Sequence, residues 1–561
     1  MTSLNQLKSR IQDLRGVPER LRVMMQVAKT SGLLWEVSVP GVLAMTKAMA
    51  AGAQSPSQVY RIHAANTPHK AAIHWRDRTL TFGELDARMD RLAGGLRRRG
   101  MKRGQSVVVM MRNRPEFIEL GGAVGRLGSS AVAVSWRSTA AELVYLATHC
   151  GATALAFEHD FWPIVEEAMK ELPAITKADF ICIGGDVPGT TSYESLLEVH
   201  ASFVPETGAE EDAAVVIYTS GTTGKPKGAV RKFPKDAFPA ALRFIKETPM
   251  RTDDVHLVTC PLYHSTAFGF MTLSHILGAE IVIMDEFKPE GFLDLIERHG
   301  ITTTAVVPTM LHRILSLGEV ALAKRNLRSL RVIFTGGAPL PGPLAVRAMD
   351  QFGDILFNFY GATETGLVTL GKPEDLRAAP TTIGKAVPGN EIRLLSDSGE
   401  EVKNGEVGEL FVKNNMLVAG YHKDEQATQG SMKDGFFSVG DLARKDRDGR
   451  YFIEGRKRDM VISGGVNVYP AEVEGVLETH PDIAEVAVIG VEDPEWGERV
   501  RAFVATRPGA QLDEGALKIW ARERLSGPKV PRDFVFVDAL PRNPTGKVLK
   551  RDLRNSPSTP K

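Results

Sequence analysis

Residues 218–228 read Tyr-Thr-Ser-Gly-Thr-Thr-Gly-Lys-Pro-Lys-Gly. Just before them, Ala213-Ala214-Val215-Val216-Ile217 is a short apolar run, β-branched toward its end, as expected of a buried strand. The chain leaves that strand through four hydroxyls (Thr219, Ser220, Thr222, Thr223), three glycines (Gly221, Gly224, Gly228) and two lysines (Lys225, Lys227). Glycine lets backbone N–H groups turn inward onto an anion, and hydroxyl and ammonium groups add further donors. A polyphosphate is the natural occupant; the bland alternative is a surface turn of small polar residues. The loop is not a Walker A sequence, because Gly224-Lys225 is followed by Pro226, which has no hydroxyl to offer a metal.

The totals bound the rest. A chain of 561 residues has length for more than one domain and for large cores. The balance of 69 basic against 68 acidic residues argues against nucleic acid as a global partner. Cys150, Cys182 and Cys260 lie far apart with no Cys-x-x-Cys spacing, so neither a disulfide framework nor a zinc site is expected, and a reducing cytoplasm fits.

Residues 1–55 differ from the remainder of the chain. Leu4, Leu7, Ile11 and Leu14 fall at helical spacing among Lys8, Arg10, Arg15, Arg20, Arg22 and Lys29, giving a basic amphipathic helix. The apolar stretch after Leu33 has only ten uncharged residues between Glu36 and Lys47, against roughly 20 needed to span a bilayer. Two readings stay open: a helix peripheral to the inner face of a membrane, or a helix packed on the protein or on a second copy in a homodimer.

From Pro56 the pattern alternates strands and helices. Thr81-x-x-Glu84 and Thr139-x-x-Glu142 are capping-box patterns. Ser106–Met111, Ala131–Val134, Ile281–Met284, Thr303–Val307 and Val332–Phe334 are expected strands, with helices near Pro115–Leu127 and Phe292–Arg298. Such βαβα order predicts parallel sheets wrapped by helices. From Ile383 to Tyr421 short alternating runs rich in Gly and Asn predict a small antiparallel, barrel-like portion. The expected fold is therefore α/β, with a large unit over 56–455, a linker at 456–459, and a small α+β C-terminal unit over 460–561.

Five further stretches complete the pattern: Thr335-Gly336-Gly337-Ala338-Pro339-Leu340, Asn358-Phe359-Tyr360-Gly361-Ala362-Thr363-Glu364, Gly440-Asp441 with Gly455-Arg456, Ser463-Gly464-Gly465, and Pro541-Arg542-Asn543-Pro544-Thr545-Gly546-Lys547. With the opening loop, and in this order, they resemble the motifs of the acyl-adenylate-forming enzymes, the group of acyl-CoA synthetases, luciferases and peptide-synthetase adenylation domains. The resemblance covers about Pro56 to Arg551. It implies ATP, Mg²⁺ and coenzyme A. Thr219, Ser220, Gly221, Thr222, Thr223, Gly224 and Lys227 would hold phosphates. Gly337, Ala338 and Pro339 would brace adenine, on which Tyr360 stacks beside Gly361, with Asn358 at its amino edge. Thr363 would meet the α-phosphate and Glu364 the metal; Asp441 and Arg456 would grip the ribose. Lys547 would bridge the acid and the α-phosphate, Gly464 and Gly465 would line the thiol tunnel, and the small domain would rotate about Arg458 between half-reactions. Phe437-Ser438-Val439 departs from the aromatic-x-Thr usual before Gly-Asp, and Arg458 replaces the usual Asp or Lys.

Pro261-Leu262-Tyr263-His264 resembles the family's Pro-Leu-aromatic-His, which puts His264 near the carboxylate; a core histidine is the bland alternative. Phe268, Gly269, Val307 and Pro308 are expected pocket walls. The implied activity is AMP-forming ligation of a carboxylic acid, with a medium- or long-chain fatty acid as the leading expectation. An aryl or other acid, or a carrier-protein acceptor, is the alternative. A binding protein that senses ATP or acyl-adenylate is the competing class, and it would have no need of intact Glu364, Asp441, Arg456 and Lys547.

Overall fold

Both expected capping boxes form. The Thr81 hydroxyl accepts from Glu84 N at 3.2 Å while Thr81 N donates to the Glu84 carboxylate at 2.9 Å. The same exchange joins Thr139 and Glu142 at 3.3 and 2.8 Å. They open the helices Phe82–Arg98 and Ala140–Cys150, the first of which buries Leu85, Met89, Leu92 and Leu96 along one stripe. The computed structural model describes residues 22–51, 56–198, 214–219, 227–232, 237–418, 420–463, 466–542 and 547–555. The segment carrying Leu4 to Leu14 lies outside them.

Two large sheets dominate. A seven-stranded sheet runs in the order Thr191–Ser192, Phe180–Ile183, Ala152–Glu158, Ser106–Met110, Ser130–Ala133, Ala214–Thr219, Lys227–Lys232; it is parallel except for the last strand. A nine-stranded sheet orders Lys385–Ala386, Gly366–Gly371, Leu356–Ala362, Val332–Gly336, Thr303–Val306, Val255–Val258, Glu280–Ile283, Ala71–Trp75, Arg78–Thr81, with a parallel centre and antiparallel edges. Side chains alternate across the pleat. Val107 and Val109 therefore enter a core shared with Ile281 and Ile283 of the other sheet, while Val108 and Met110 enter a separate core with Leu155 and Phe157.

The antiparallel portion is a five-stranded sheet of Glu391–Leu395, Val407–Lys413, Phe436–Lys445, Met432–Lys433 and Tyr451–Arg456. It starts later than Ile383, because Lys385–Ala386 pairs instead with Thr369 and Leu370 of the large sheet. Glycine explains the fit: a Cβ on Gly384 would lie 2.0 Å from Gly371 N. Val332–Gly336 also runs two residues past the expected end. Gly336 pairs with Phe359, and a side chain there would collide with Phe359 O at 2.4 Å, so only glycine lets the strand continue. Beyond a single 3₁₀ turn at Lys457–Asp459 stands a last sheet built from Val461–Ser463, Val466–Val468, Ile483–Asp493, Gly497–Thr506 and Asp533–Phe536.

Residues 22–51 form helices over 22–30, Leu33–Glu36 and Val39–Ala51 that pack on the large unit by one face. Val27 joins Phe244, Met250 and Phe270 in a core cluster. Thr252 N donates to Ser31 O at 2.9 Å, and Glu36 pairs with Lys70 at 3.0 Å. Ser38 N donates to Asn66 Oδ1 at 2.7 Å. No helix among the described residues is long and apolar enough to cross a membrane. The three cysteines are buried and unpaired.

Candidate active site

Four neighbouring parallel strands, ending at Val258, Val306, Gly336 and Ala362, deliver their following residues to one edge of the nine-stranded sheet. In open α/β sheets ligands bind outside the carboxyl ends of strands. The segments beyond these ends hold His264, Val307, Gly337, Thr363 and Glu364. From the other sheet, Thr219 closes its strand and pairs with Lys227 across the hairpin. Ser220, Gly221, Thr222, Thr223 and Gly224 lie outside the described residues, as do Gly464 and Gly465.

A polar chain links three distant segments. The Tyr360 hydroxyl donates to Asp441 at 2.7 Å, and Arg456 Nε meets the other carboxylate oxygen at 3.1 Å. Asp441 and Arg456 are cross-strand partners, so the sheet itself sets their spacing. Burial, then the Asp441 charge, holds the Tyr360 phenol protonated far above its ordinary range. Lys547 reaches the same place: burial and the Arg456 charge push its ammonium down to about 8, while Asp441 pulls the other way. Arg458, on the 3₁₀ turn, is likewise lowered by burial and by Arg456. The Asn358 side chain is buried and donates Nδ2 to Thr382 O at 2.8 Å, which leaves its carbonyl oxygen as the group suited to an exocyclic amine. Ser438 turns its hydroxyl to Glu409 at 2.7 Å and accepts from Gly440 N at 3.0 Å, bracing the turn before Asp441.

Glu364 is 7% exposed, and Tyr421 donates its hydroxyl to Oε1 at 3.0 Å. The segment around Tyr421 is sewn to both neighbours. Val418 N donates to Glu364 O at 2.9 Å, and His422 N and Val230 N exchange bonds with Gly228 O and Gly420 O at 2.8 and 3.2 Å. One strand-like stitch thus fixes Glu364 relative to the strand Lys227–Lys232. Among the described residues no group of three or more His, Cys, Asp or Glu could hold a metal. A single buried carboxylate does fit Mg²⁺, which takes one or two carboxylates and completes its shell with phosphate oxygens and water.

His264 caps the helix Ser265–Ile276. Its Nε2 is buried with no hydrogen-bond partner among the described residues, and burial pushes the ring down to about 4, so it is neutral at pH 7. The next residue, Ser265, accepts from the Thr363 hydroxyl at 3.3 Å, tying the histidine turn to the strand end that carries Glu364. At Gly337, φ is 76°, and a Cβ would meet Thr266 Oγ1 at 3.5 Å and Val307 at 3.7 Å; these three residues face one another. Ala338 and Pro339 follow in the turn, and Pro308 opens the helix Pro308–Leu315.

One helical turn beyond His264, Phe268, Met271 and Thr272 line a narrow apolar slot that runs between the helix and the seven-stranded sheet. Gly121 of the helix Pro115–Arg126, Ala133 and Val215 of the seven-stranded sheet, and Ser57 and Tyr60 also line it. Gly269, Val307 and Pro308 are not part of that lining. A wider, open depression of about 460 Å³ around Lys246, Asp354 and Lys372 shares no residue with this site. Tyr421, Ser265 and Gly121 were not singled out in the sequence. For Tyr421 a signal existed, since it closes the Gly-rich run after Gly420; the other two had none.

The sequence profile of the AMP-binding enzyme family matches residues 60–422, and that of the AMP-binding enzyme C-terminal domain matches residues 472–547. The chain is similar to an indoleacetate–CoA ligase of Aromatoleum aromaticum, 35% identical over 88% of this chain and 96% of that protein. It is also similar to a medium/long-chain-fatty-acid–CoA ligase of Mycobacterium tuberculosis, 31% identical over 87% of each. Among solved structures, o-succinylbenzoate CoA synthetase from Bacillus subtilis with its acyl-adenylate intermediate superposes with a TM-score of 0.78. The two are 29% identical, and the match covers 89% of this chain and 98% of that one.

Proposed function

The chain belongs to the AMP-binding enzyme family, and on that premise we propose that it is an AMP-forming ligase that joins an apolar, preferably alkyl, carboxylic acid to coenzyme A. The observation that carries this reading is the meeting of Tyr360, Asp441, Arg456 and Lys547, drawn from separated segments, together with buried Glu364 and with His264, whose Nε2 has no partner among the described residues.

Joining a carboxylate to the α-phosphate of ATP brings two anions together, so the protein must cancel charge and hold geometry. Asp441 accepts from ribose hydroxyls with Arg456 and Tyr360 fixing its rotamer; Asn358 reads the adenine amino edge. Glu364 holds Mg²⁺, which when bound draws charge from the phosphate oxygens. Neutral His264 offers its buried ring nitrogen to the acid, and Lys547 lies between carboxylate and α-phosphate. For the thiol step, rotation at Arg458 withdraws Lys547 and brings the stretch around Ser463 to the adenylate.

The slot beyond Phe268 supports an alkyl tail by its apolar lining and by starting one turn from His264; its volume of about 50 Å³ means that a long chain enters only when its walls part. The name of the indoleacetate relative favours a second reading, an aryl acid seated at Gly337 and Val307. A panel of straight-chain and aryl acids, assayed for ATP-dependent pyrophosphate release and then for CoA thioester, decides. Release that grows with chain length supports the alkyl reading, and release confined to aryl acids replaces it. No release with any acid overturns the ligase proposal.

A further inference from the structure

Among the described residues, twelve large hydrophobic side chains are exposed, and five of them fall within residues 25–43: Met25, Val37, Val39, Val42 and Leu43. Chance would not gather so many in so short a stretch of a 561-residue chain. The helix Val39–Ala51 shows why they stand out. Its inner side meets Asn66 so closely that a Cβ on Gly41 would lie 2.3 Å from Asn66 Oδ1. Its outer side carries Val39, Val42, Leu43, Thr46 and Lys47, spaced 3, 1, 3 and 1 residues apart, which is one face of an α-helix. Val39 is 75% and Leu43 64% exposed. An apolar face that the fold leaves outward while its reverse side is tightly packed is a surface for something else.

Charge selects the occupant. Residues 1–51 hold seven basic residues against Asp13, Glu19 and Glu36. Glu36 is already engaged by Lys70 on the inner side. Arg22, Lys29 and Lys47 are exposed, and no ion pair joins them to another described residue. Two copies of so positive a segment repel one another, whereas an anionic surface attracts it. Apolar side chains flanked by lysine and arginine match the interface of a bilayer, where the apolar groups sit at the headgroup and acyl boundary and the cations among phosphates.

We propose that residues 22–51 form a docking face for an anionic lipid surface, with Val39, Val42 and Leu43 entering the acyl boundary and Arg22, Lys29 and Lys47 meeting headgroup phosphates. The helix lies on the membrane and does not cross it. An enzyme held there draws an apolar acid from the phase into which that acid partitions, although the docking face does not depend on the acid's identity.

The full chain is to be sedimented with vesicles of phosphatidylcholine and of phosphatidylcholine mixed with phosphatidylglycerol, at low and high salt. Binding to the mixed vesicles that weakens with salt is expected, with little binding to the neutral ones. Val39→Ser/Val42→Ser/Leu43→Ser should lower the vesicle partition by at least about tenfold. Lys29→Glu/Lys47→Glu should lose the preference for phosphatidylglycerol. Both variants should keep wild-type pyrophosphate release with a water-soluble acid, which shows that they fold. A wild-type chain that stays in the supernatant overturns the proposal, as does a triple variant that binds like wild type. A solution dimer that the triple variant dissociates overturns it too, by assigning the face to a second copy.

Discussion

Lys547 titrates in an accessible range, and its protonation can be followed through the reaction. Burial and the Arg456 charge, with Arg458 adding to them, bring it from 10.5 to about 8, against the pull of Asp441 and Asp459. That fall corresponds to roughly 3 kcal/mol spent in keeping an ammonium in the cleft at neutral pH. Because the folded value is the lower one, the penalty is present below pH 8 and is relieved as pH rises from about 8 toward 10.5. The lysine works in its charged form if it bridges carboxylate and α-phosphate. The kcat/KM for adenylation, read as pyrophosphate release across pH 6 to 10, should then fall about tenfold for each pH unit above 8, because this ratio reports the free enzyme. Bound nucleotide phosphates favour the ammonium, so the fall in kcat should begin at higher pH. In Lys547→Arg the basic limb should vanish, since a guanidinium stays charged throughout. Thioester formation from supplied acyl-adenylate should show no such limb. A basic limb at pH 10 or above, or the same limb in the arginine variant, would refute the assignment of Lys547 to this step.

Two further outcomes concern the site. Tyr421→Phe removes one hydrogen bond to a buried carboxylate, about 1.5–3 kcal/mol, so the Mg²⁺ concentration giving half-maximal adenylation should rise roughly tenfold or more while thiolysis of supplied adenylate is spared; an unchanged Mg²⁺ dependence rejects the role. Gly121→Leu fills the slot without backbone strain, since nothing lies within 4 Å of a Cβ there. Losing room for about two methylenes at ~0.8 kcal/mol each should cut kcat/KM for acids long enough to enter the slot by roughly fifteen-fold and leave short acids untouched; equal losses for both would remove the slot from the acyl path.

What the sequence revealed was local. Thr81 and Thr139 announced their helices because both partners of a capping box lie within one turn. The Ser106–Met111 run announced a strand, while the division of its two faces between separate cores shows only once the sheets are stacked. Asp441 and Arg456 were legible through motif order, though not as cross-strand neighbours. Tyr421 with Glu364, and Ser265 with Thr363, are 57 and 98 residues apart; such contacts depend on how sheets stack, which no local pattern encodes. The same holds for residues 22–51, whose inner face was chosen by Asn66 and Thr252 rather than by their own periodicity. The strand at Val332 outran its expected end because Gly336 looked like a loop residue, whereas the nearby Phe359 backbone made glycine the one residue able to stay in the strand.

The order of strands in the larger sheet has a consequence for how the chain matures. Ala71–Trp75 and Arg78–Thr81 form a hairpin early, but Ile73 finds its parallel neighbour only at Ile281, roughly two hundred residues later, after the whole seven-stranded sheet has been laid down between them. During synthesis the hairpin must wait with one edge unpaired until the rest of its sheet emerges. An open edge of that kind is an invitation to aggregation, so folding of this chain should be governed less by its final stability than by how long that first hairpin waits.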